Sequence, residues 1–289
     1  MPIRMWSYPR VAVFKEKVYI GGGWASPDRT QTVMVYDPKQ DSYDTLPPYT
    51  YQYFSMAVVN NQLVLIGGYH EQTDKRTNKL GVWNGEIKSW THPLPPMITA
   101  CNSPSVATHN TWLVVMGGYD DKYLSRVEIM DTTESRQWYQ AASLPHPLGY
   151  ALPAIIGNMC YLLGGYTKRG ATSKKVFSVC LDDLISQAVS QQGRASARPT
   201  PSPWQSLPDT PLSRSTALTF NGALLAVGGI LGGSTAIYHY QPSSRSWIKA
   251  GELPTGRYQC TCTVLPSRDL YVAGGGGHAS QQVDIASVQ

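Results

Sequence analysis

Apolar residues in this chain come in short bursts, and six of the bursts run into paired glycines. They read VYIGGG (18–23), LVLIGGY (63–69), LVVMGGY (113–119), YLLGGY (161–166), LLAVGGI (224–230) and LYVAGGGG (270–277). Consecutive apolar, β-branched and aromatic positions describe a strand buried on both faces. The glycines that end it tolerate positive φ and let another backbone come close. Successive pairs lie 46, 50, 47, 64 and 46 residues apart, so one supersecondary unit is copied around or along an axis.

The flanks of each pair repeat as well. An apolar strand precedes it, as in SMAVV (55–59), ALTF (217–220) and CTCTVL (260–265). A tight polar turn such as Asn60-Asn61 or Asn221-Gly222 joins the two, which is hairpin chemistry. A third strand follows a polar loop: TVMVYDP (32–38), LGVWN (80–84), RVEIMD (126–131), KVFSVCL (175–181), AIYHYQP (236–242) and QVDIASV (282–288). A fourth, outer strand centres on Tyr43, Trp90, Trp138, Trp204 or Trp247, each followed by a Leu-Pro pair (46–47, 94–95, 144–145, 207–208, 253–254). The outer aromatic reads as packing between adjacent units rather than as a binding group.

Four antiparallel strands repeated six times bury their faces only against one another, and the radial solution is a β-propeller with short protected edges. The expected class is all-β: one six-bladed domain over 1–289, with blades at about 9–50, 51–98, 99–145, 146–210, 211–255 and 256–289. Two places depart from the repeat. In blade 4, residues 182–203 (DDLISQAVSQQGRASARPTPSP) intervene between the third and fourth strands. Their polar, Pro/Ser/Gln/Ala-rich character reads as a flexible insertion, with room for a helical turn or two at its start. The sixth unit stops at Gln289 after its third strand, so the last blade is either three-stranded or closed by residues 1–5 as a short fourth strand. Trp6 precedes its glycine pair by only 15 residues and is expected in the loop leading into blade 1. With no second domain beside it, the propeller reads as a piece of a longer protein.

Composition narrows the class of partner. Gly (26), Pro (21) and Tyr (18) are abundant and charged residues make up 15%, which suits a turn-rich β-protein and argues against a helical bundle. The net charge of +5 arises without a Lys/Arg run, so no nucleic acid is expected. The surplus leans toward a peptide carrying acidic residues. No stretch has the length of a membrane span, and MPIRMWSYPR lacks the apolar region of a signal peptide, so no membrane partner and a cytoplasmic location are expected. The five scattered cysteines (Cys101, Cys160, Cys180, Cys260, Cys262) read as reduced thiols in such a compartment.

The glycine pair, the YDP-like third strand and the spaced Trp followed by Leu-Pro together resemble the kelch repeat, over essentially the whole chain. That resemblance implies a six-bladed kelch propeller and an adaptor role. The implied roles are recruitment of substrates to a cullin ubiquitin ligase or service as a cytoskeletal scaffold, with a BTB-type domain elsewhere in the protein.

Function on a propeller sits in the loops at the two ends of its channel. Two loop sets are expected to meet on one face. The first begins directly after the glycines, with Trp24, Tyr69, Tyr119, Tyr166, Ile230 and His278. Tyr and Trp rings offer rigid contact area with a polar tip, as interface hot spots do. The second set, counted back from each pair, holds Trp6, Tyr51, Gln52, Tyr53, Asn102, Ser103, Tyr150, Ser213, Arg214, Arg257 and Tyr258. Its arginines suit either a forked contact with a carboxylate or the capping of loop carbonyls. In kelch adaptors the aromatic after the pair and Ser/Arg residues before the innermost strand contact the bound peptide. The resemblance carries this role directly to Tyr69, Tyr119 and Tyr166, and loosely to Trp24, Ser213, Arg214 and Arg257. Ile230 departs from it.

Signals for catalysis are thin. HExxH, GxSxG, a phosphate loop and CxxC are all missing, and the histidines (70, 92, 109, 146, 239, 278) share no ligand spacing. No metal or cofactor is expected, and the chain reads as a protein-binding module rather than an enzyme. The rival reading is a small-molecule enzyme on a kelch propeller, similar to sugar-acid epimerases, which needs convergent acid and base groups in a polar pocket. His278 with Arg214 and Arg257 is the cluster such a reading would use.

Overall fold

The computed structural model describes residues 5–25, 31–168, 170–192, 202–229, 233–276 and 283–286. Six antiparallel sheets follow one another, each laid down in chain order from an innermost strand outwards. Blade 1 consists of Arg10–Phe14, Lys17–Gly21, Met34–Asp37 and Ser42–Thr45, and blade 2 of Ser55–Val59, Gln62–Ile66, Leu80–Asn84 and Ser89–Thr91. Blades 3, 4 and 5 start at Ser105–His109, Leu152–Ile156 and Thr216–Phe220 and are also four-stranded. Blade 6 holds three strands among the described residues, Thr261–Val264, Leu270–Ala273 and Val283–Ala286. The innermost strands touch in sequence around the ring, blade 6 meeting blade 1. The expected six-bladed propeller is therefore closed.

Period-two alternation explains why the ring closes. Along Gln62–Ile66, Leu63 and Leu65 pack against blade 1 while Val64 and Ile66 pack against blade 3, and all four are fully buried. Every blade interface has its own apolar cluster built this way, so a blade without neighbours would leave both faces wet. The outer tryptophans fasten each of blades 2 to 5 to the one before. Nε1 of Trp90, Trp138, Trp204 and Trp247 donates to the carbonyls of Pro47, Pro95, Ala142 and Pro208 at 2.8, 3.0, 2.9 and 3.1 Å. This is the inter-blade role expected of them.

The glycine pairs serve the same closure. Gly67 has φ +65°, and a Cβ there would stand 2.4 Å from the carbonyl oxygen of Cys101 in blade 3. The next amide, Gly68 N–H, donates to that same oxygen at 2.9 Å. In blade 1 the left-handed pair is Gly22–Gly23, the second and third of three glycines.

Two expectations change. Residues 5–7 do not extend blade 6: Met5–Ser7 pairs antiparallel with Trp24–Ala25, so Trp6 lies in a short ribbon of blade 1 rather than a plain loop. Gly23 makes this possible, because any Cβ there would meet the Ser7 carbonyl oxygen at 2.4 Å. Among the described residues the seam between blades 6 and 1 is held by the stacked rings of Tyr36 and Tyr271 and by a Tyr43–Tyr271 hydroxyl contact of 3.2 Å. The start of the insertion is also more than a turn or two, since Leu181–Gln191 forms an 11-residue α-helix. Its buried residues Leu181, Leu184, Ile185 and Ala188 share one face and join the core between blades 3 and 4. That apolar stripe outweighs the surrounding Ser and Gln. The remainder, 193–201, lies outside the described residues. No described helix is long and apolar enough to cross a membrane.

Candidate functional site

Two residues ahead of every innermost strand the backbone turns left-handed. The positions are Tyr8, Tyr53, Ser103, Tyr150, Arg214 and Gln259, with φ between 48° and 63°. None is glycine, and such residues persist only where their surroundings over-determine them. Here neighbouring blades do so. Ser103 N–H donates to Tyr53 O, Tyr150 N–H to Ser103 O, Gln259 N–H to Arg214 O and Tyr8 N–H to Gln259 O, at 2.8 to 3.2 Å. Six equivalent side chains are thus brought to one end of the channel.

Tyrosine dominates that end. Tyr8, Tyr53, Tyr123, Tyr150 and Tyr166, with Ser7 and Gln259, line a basin of about 280 Å³. Ring centroids lie 4.9 Å apart for Tyr8–Tyr150, 5.7 Å for Tyr8–Tyr166 and 5.9 Å for Tyr150–Tyr166. Gln259 Nε2 donates to the Tyr166 hydroxyl at 2.8 Å. Burial raises the phenols of Tyr53 and Tyr123 to about 12 and pushes Tyr8 and Tyr150 upward too. These rings are therefore neutral hydrogen-bonding groups at physiological pH.

The loops after the glycine pairs form two-stranded ribbons beside the basin: Tyr69–His70 with Lys75–Arg76, Tyr119–Asp120 with Lys122–Tyr123, and Tyr166–Lys168 with Ala171–Thr172. Each aromatic after the pair bridges to the loop entering its own blade: Tyr69 to Gln52, Tyr119 to Asn102 and Tyr166 to Gly149, while Tyr258 bridges to Gly276. The two expected loop sets do converge. Two arginines then insert between rings. The Arg76 guanidinium carbon lies 5.4 Å from the centroids of both Tyr69 and Tyr119, and that of Arg214 lies 5.6 Å from Tyr166 and 5.8 Å from Tyr258. Cation–π contact holds both heads in place beside aromatic contact area. Arg76 is further anchored by Asp121 at 2.9 Å, and the Tyr69 hydroxyl by Asp74 at 2.9 Å.

Other expected site residues have quieter places. Gln52 is buried and donates to Glu71 at 2.8 Å, which braces the first ribbon. Asn102 is buried and pairs through its backbone with Tyr119. Tyr51 leans on Tyr49 and His70 at 5.4 and 5.8 Å, and so joins the packing between blades 1 and 2. Ser213 is partly exposed, with its carbonyl oxygen against Gly229. Arg257 is a correction: it is 0% exposed, with Nε on Asp284 at 2.9 Å and Nη1 on Gly274 O at 2.8 Å. Its charge serves the blade 5–6 junction and not a ligand at the mouth. Trp24 sits in the N-terminal ribbon with its side chain outside the described residues, where His278 and Ile230 also lie. Tyr8, Gln259, Tyr123 and Arg76 were not foreseen. The register of Tyr53 and Tyr150, two residues before an innermost strand, is the signal that finds the first two. No group of His, Cys, Asp and Glu among the described residues is arranged to hold a metal ion.

Known proteins share this architecture. The family model of the Kelch motif matches residues 5–48 and 100–145. Kelch-like protein 35 of Mus musculus is 25% identical over 233 residues, covering 80% of this chain and 36% of that protein. Kelch-like protein 23 of Homo sapiens is 22% identical, covering 89% and 43%, and Kelch repeat and BTB domain-containing protein 1 of camelpox virus is 23% identical, covering 84% and 41%. The chain thus spans about two fifths of the length of these curated relatives. In fold it is similar to the solved structure of YjhT, with a TM-score of 0.74 at 17% identity over 99% of this chain and 95% of that one. With six glycine-paired sheets in a closed ring and Kelch motifs at residues 5–48 and 100–145, this chain is a six-bladed β-propeller that resembles the kelch domain of the kelch-like proteins.

Proposed function

We propose that the chain is a protein-interaction module that captures a short peptide or loop of a partner at the tyrosine-lined mouth, as a substrate adaptor or scaffold. The observation that carries this reading is the pair of Tyr–Arg–Tyr sandwiches, Tyr69–Arg76–Tyr119 and Tyr166–Arg214–Tyr258, flanking an open aromatic basin. Rigid rings supply contact area at little entropic cost, and fixed guanidinium heads supply orientation. Arg76 is already paired with Asp121, and it is Arg214 that favours a peptide with an acidic residue. The basin offers neutral phenols and an amide rather than a facing acid and base, which supports docking over the epimerase-like alternative. Recruitment to a ubiquitin ligase is the adaptor role that fits kelch-like relatives, in a protein longer than this propeller.

The test is selection of peptides from a random displayed library, followed by calorimetric titration of the selected peptide. Tyr69→Ala with Tyr119→Ala is expected to lower its affinity at least a hundredfold while the thermal midpoint stays within a few degrees of wild type. Unchanged affinity in a folded double variant refutes the assignment of this surface. Unfolding of the variant reassigns the two rings to structure.

A further inference from the structure

Below the six mouth residues lies a second tier, the first residue of each innermost strand: Arg10, Ser55, Ser105, Leu152, Thr216 and Thr261. Three of its hydroxyls are used alike. Ser55 donates to Pro104 O, Ser105 to Ala151 O and Thr216 to Cys260 O, in each case the carbonyl just ahead of the next blade's innermost strand. The pattern breaks at blade 4, where Leu152 has no hydroxyl, and at blades 6 and 1. Thr261 is 1% exposed, and its hydroxyl has no hydrogen-bond partner among the described residues. Arg10, 3% exposed, reaches from blade 1 to the opposite side of the ring, where Nη1 donates to Ala151 O at 3.3 Å. Its Nε and Nη2 have no hydrogen-bond partner among the described residues.

Arg10, Thr261 and Ser55 share a chamber of about 120 Å³ whose walls come from all six blades and include no carboxylate. Burial lowers the Arg10 guanidinium to about 10, with Tyr150 and Tyr8 nearby opposing the fall, so it stays charged at neutral pH. A buried cation with two idle donors is unfavourable until a counter-charge meets it. The planar fork of a guanidinium matches a carboxylate. At roughly 30 Å³ per water the chamber has room for about four waters, the scale of formate or acetate. We infer that the channel beneath the mouth is a carboxylate site, with Nε and Nη2 of Arg10 and the Thr261 hydroxyl as its donors. The carboxylate comes either from a free small acid or from an acidic side chain of a docked peptide reaching down past Tyr8 and Tyr150.

Thermal unfolding in sodium formate against sodium chloride at equal ionic strength tests the site. Wild type should gain about 3 °C at a formate concentration ten times the dissociation constant. Arg10→Met should lose that gain and unfold no earlier than wild type in chloride alone. Thr261→Val, which conserves volume, should weaken formate binding several-fold and decides the matter if Arg10→Met does not fold. A wild-type midpoint indifferent to formate, or a full response in either folded variant, overturns the inference. Titrating the selected peptide in both salts identifies the source: competition by formate assigns the carboxylate to the peptide, and indifference assigns it to a free acid, the site standing in both cases. A formate response without any peptide binding leaves the chamber intact and removes the docking proposal.

Discussion

Replacing Gly117 by Ala tests whether the glycine pairs are there for the neighbouring blade or merely for their own turn. Gly117 has φ +62°, and its new Cβ would stand 2.0 Å from the carbonyl oxygen of Leu148, in the segment entering blade 4. Gly157, in a hairpin of blade 4, supplies the control, with φ +58° and nothing within 4 Å of a Cβ. Both substitutions place an L side chain in left-handed backbone, at about 1 kcal/mol, offset in part by a stiffer unfolded chain. Only Gly117→Ala must also push a backbone carbonyl away, which adds about 1–3 kcal/mol. It further disturbs the 2.9 Å bond from Gly118 N–H to the same Leu148 oxygen, worth about 1 kcal/mol. The expected totals are about 3 kcal/mol for Gly117→Ala and under about 1 kcal/mol for Gly157→Ala. In urea, with a slope near 3 kcal/mol/M, the Gly117 variant should unfold about 1 M earlier with an unchanged slope. Variants that unfold within about 0.5 kcal/mol of each other would refute the inter-blade role of the pair.

Other outcomes follow from the same structure. Leu184→Ala, fully buried on the helix Leu181–Gln191, should cost about 2–4 kcal/mol by urea unfolding, whereas a loose excursion would cost nothing. Trp138→Phe removes the 3.0 Å bond to Pro95 O and should cost about 1–2 kcal/mol; a neutral result would deny the outer tryptophans their fastening role. Of the five thiols, four are buried with pKa values raised by desolvation, so a thiol reagent at pH 8 should label only Cys180 in the native protein and all five in denaturant. The phenols of Tyr53 and Tyr123 rise from 10.0 to about 12 on folding. Groups raised in this direction stabilise the fold fully below their unfolded value and lose that contribution as pH climbs between the two, so stability should fall from pH 10 to 12. A flat profile across that window would mean the basin is open to water.

Much of the architecture was legible along the chain because the repeat writes the same physical demand six times. Leu63 to Ile66 must be apolar at every position since both faces of the strand are covered. Gly67–Gly68 must follow because a Cβ on the first would strike the Cys101 carbonyl of the next blade and one on the second Tyr51 and Gln52 in the loop entering its own blade. Tyr69, Tyr119 and Tyr166 could be placed at the mouth by counting from these anchors. Arg257 could not. Counting back from the glycines put it near Arg214, but the mouth position of blade 6 is Gln259, and Asp284, 27 residues further along the chain, draws Arg257 inward. The docked helix was hidden by its polar residues, because a stripe of four apolar side chains acquires meaning only once a groove between two blades receives it.

The sequence by itself determined the number of blades, the order of strands within each and the residues that separate inside from outside. These depend on local periodicity and on spacing, which survive without knowledge of any neighbour. Only the tertiary structure decided what stands across from what. It set Tyr8 and Gln259 beside Tyr166, slid Arg76 between two tyrosines of different blades, and laid Arg10 across the channel to Ala151. Those partners are far apart in the chain, and closing the ring is what makes them neighbours.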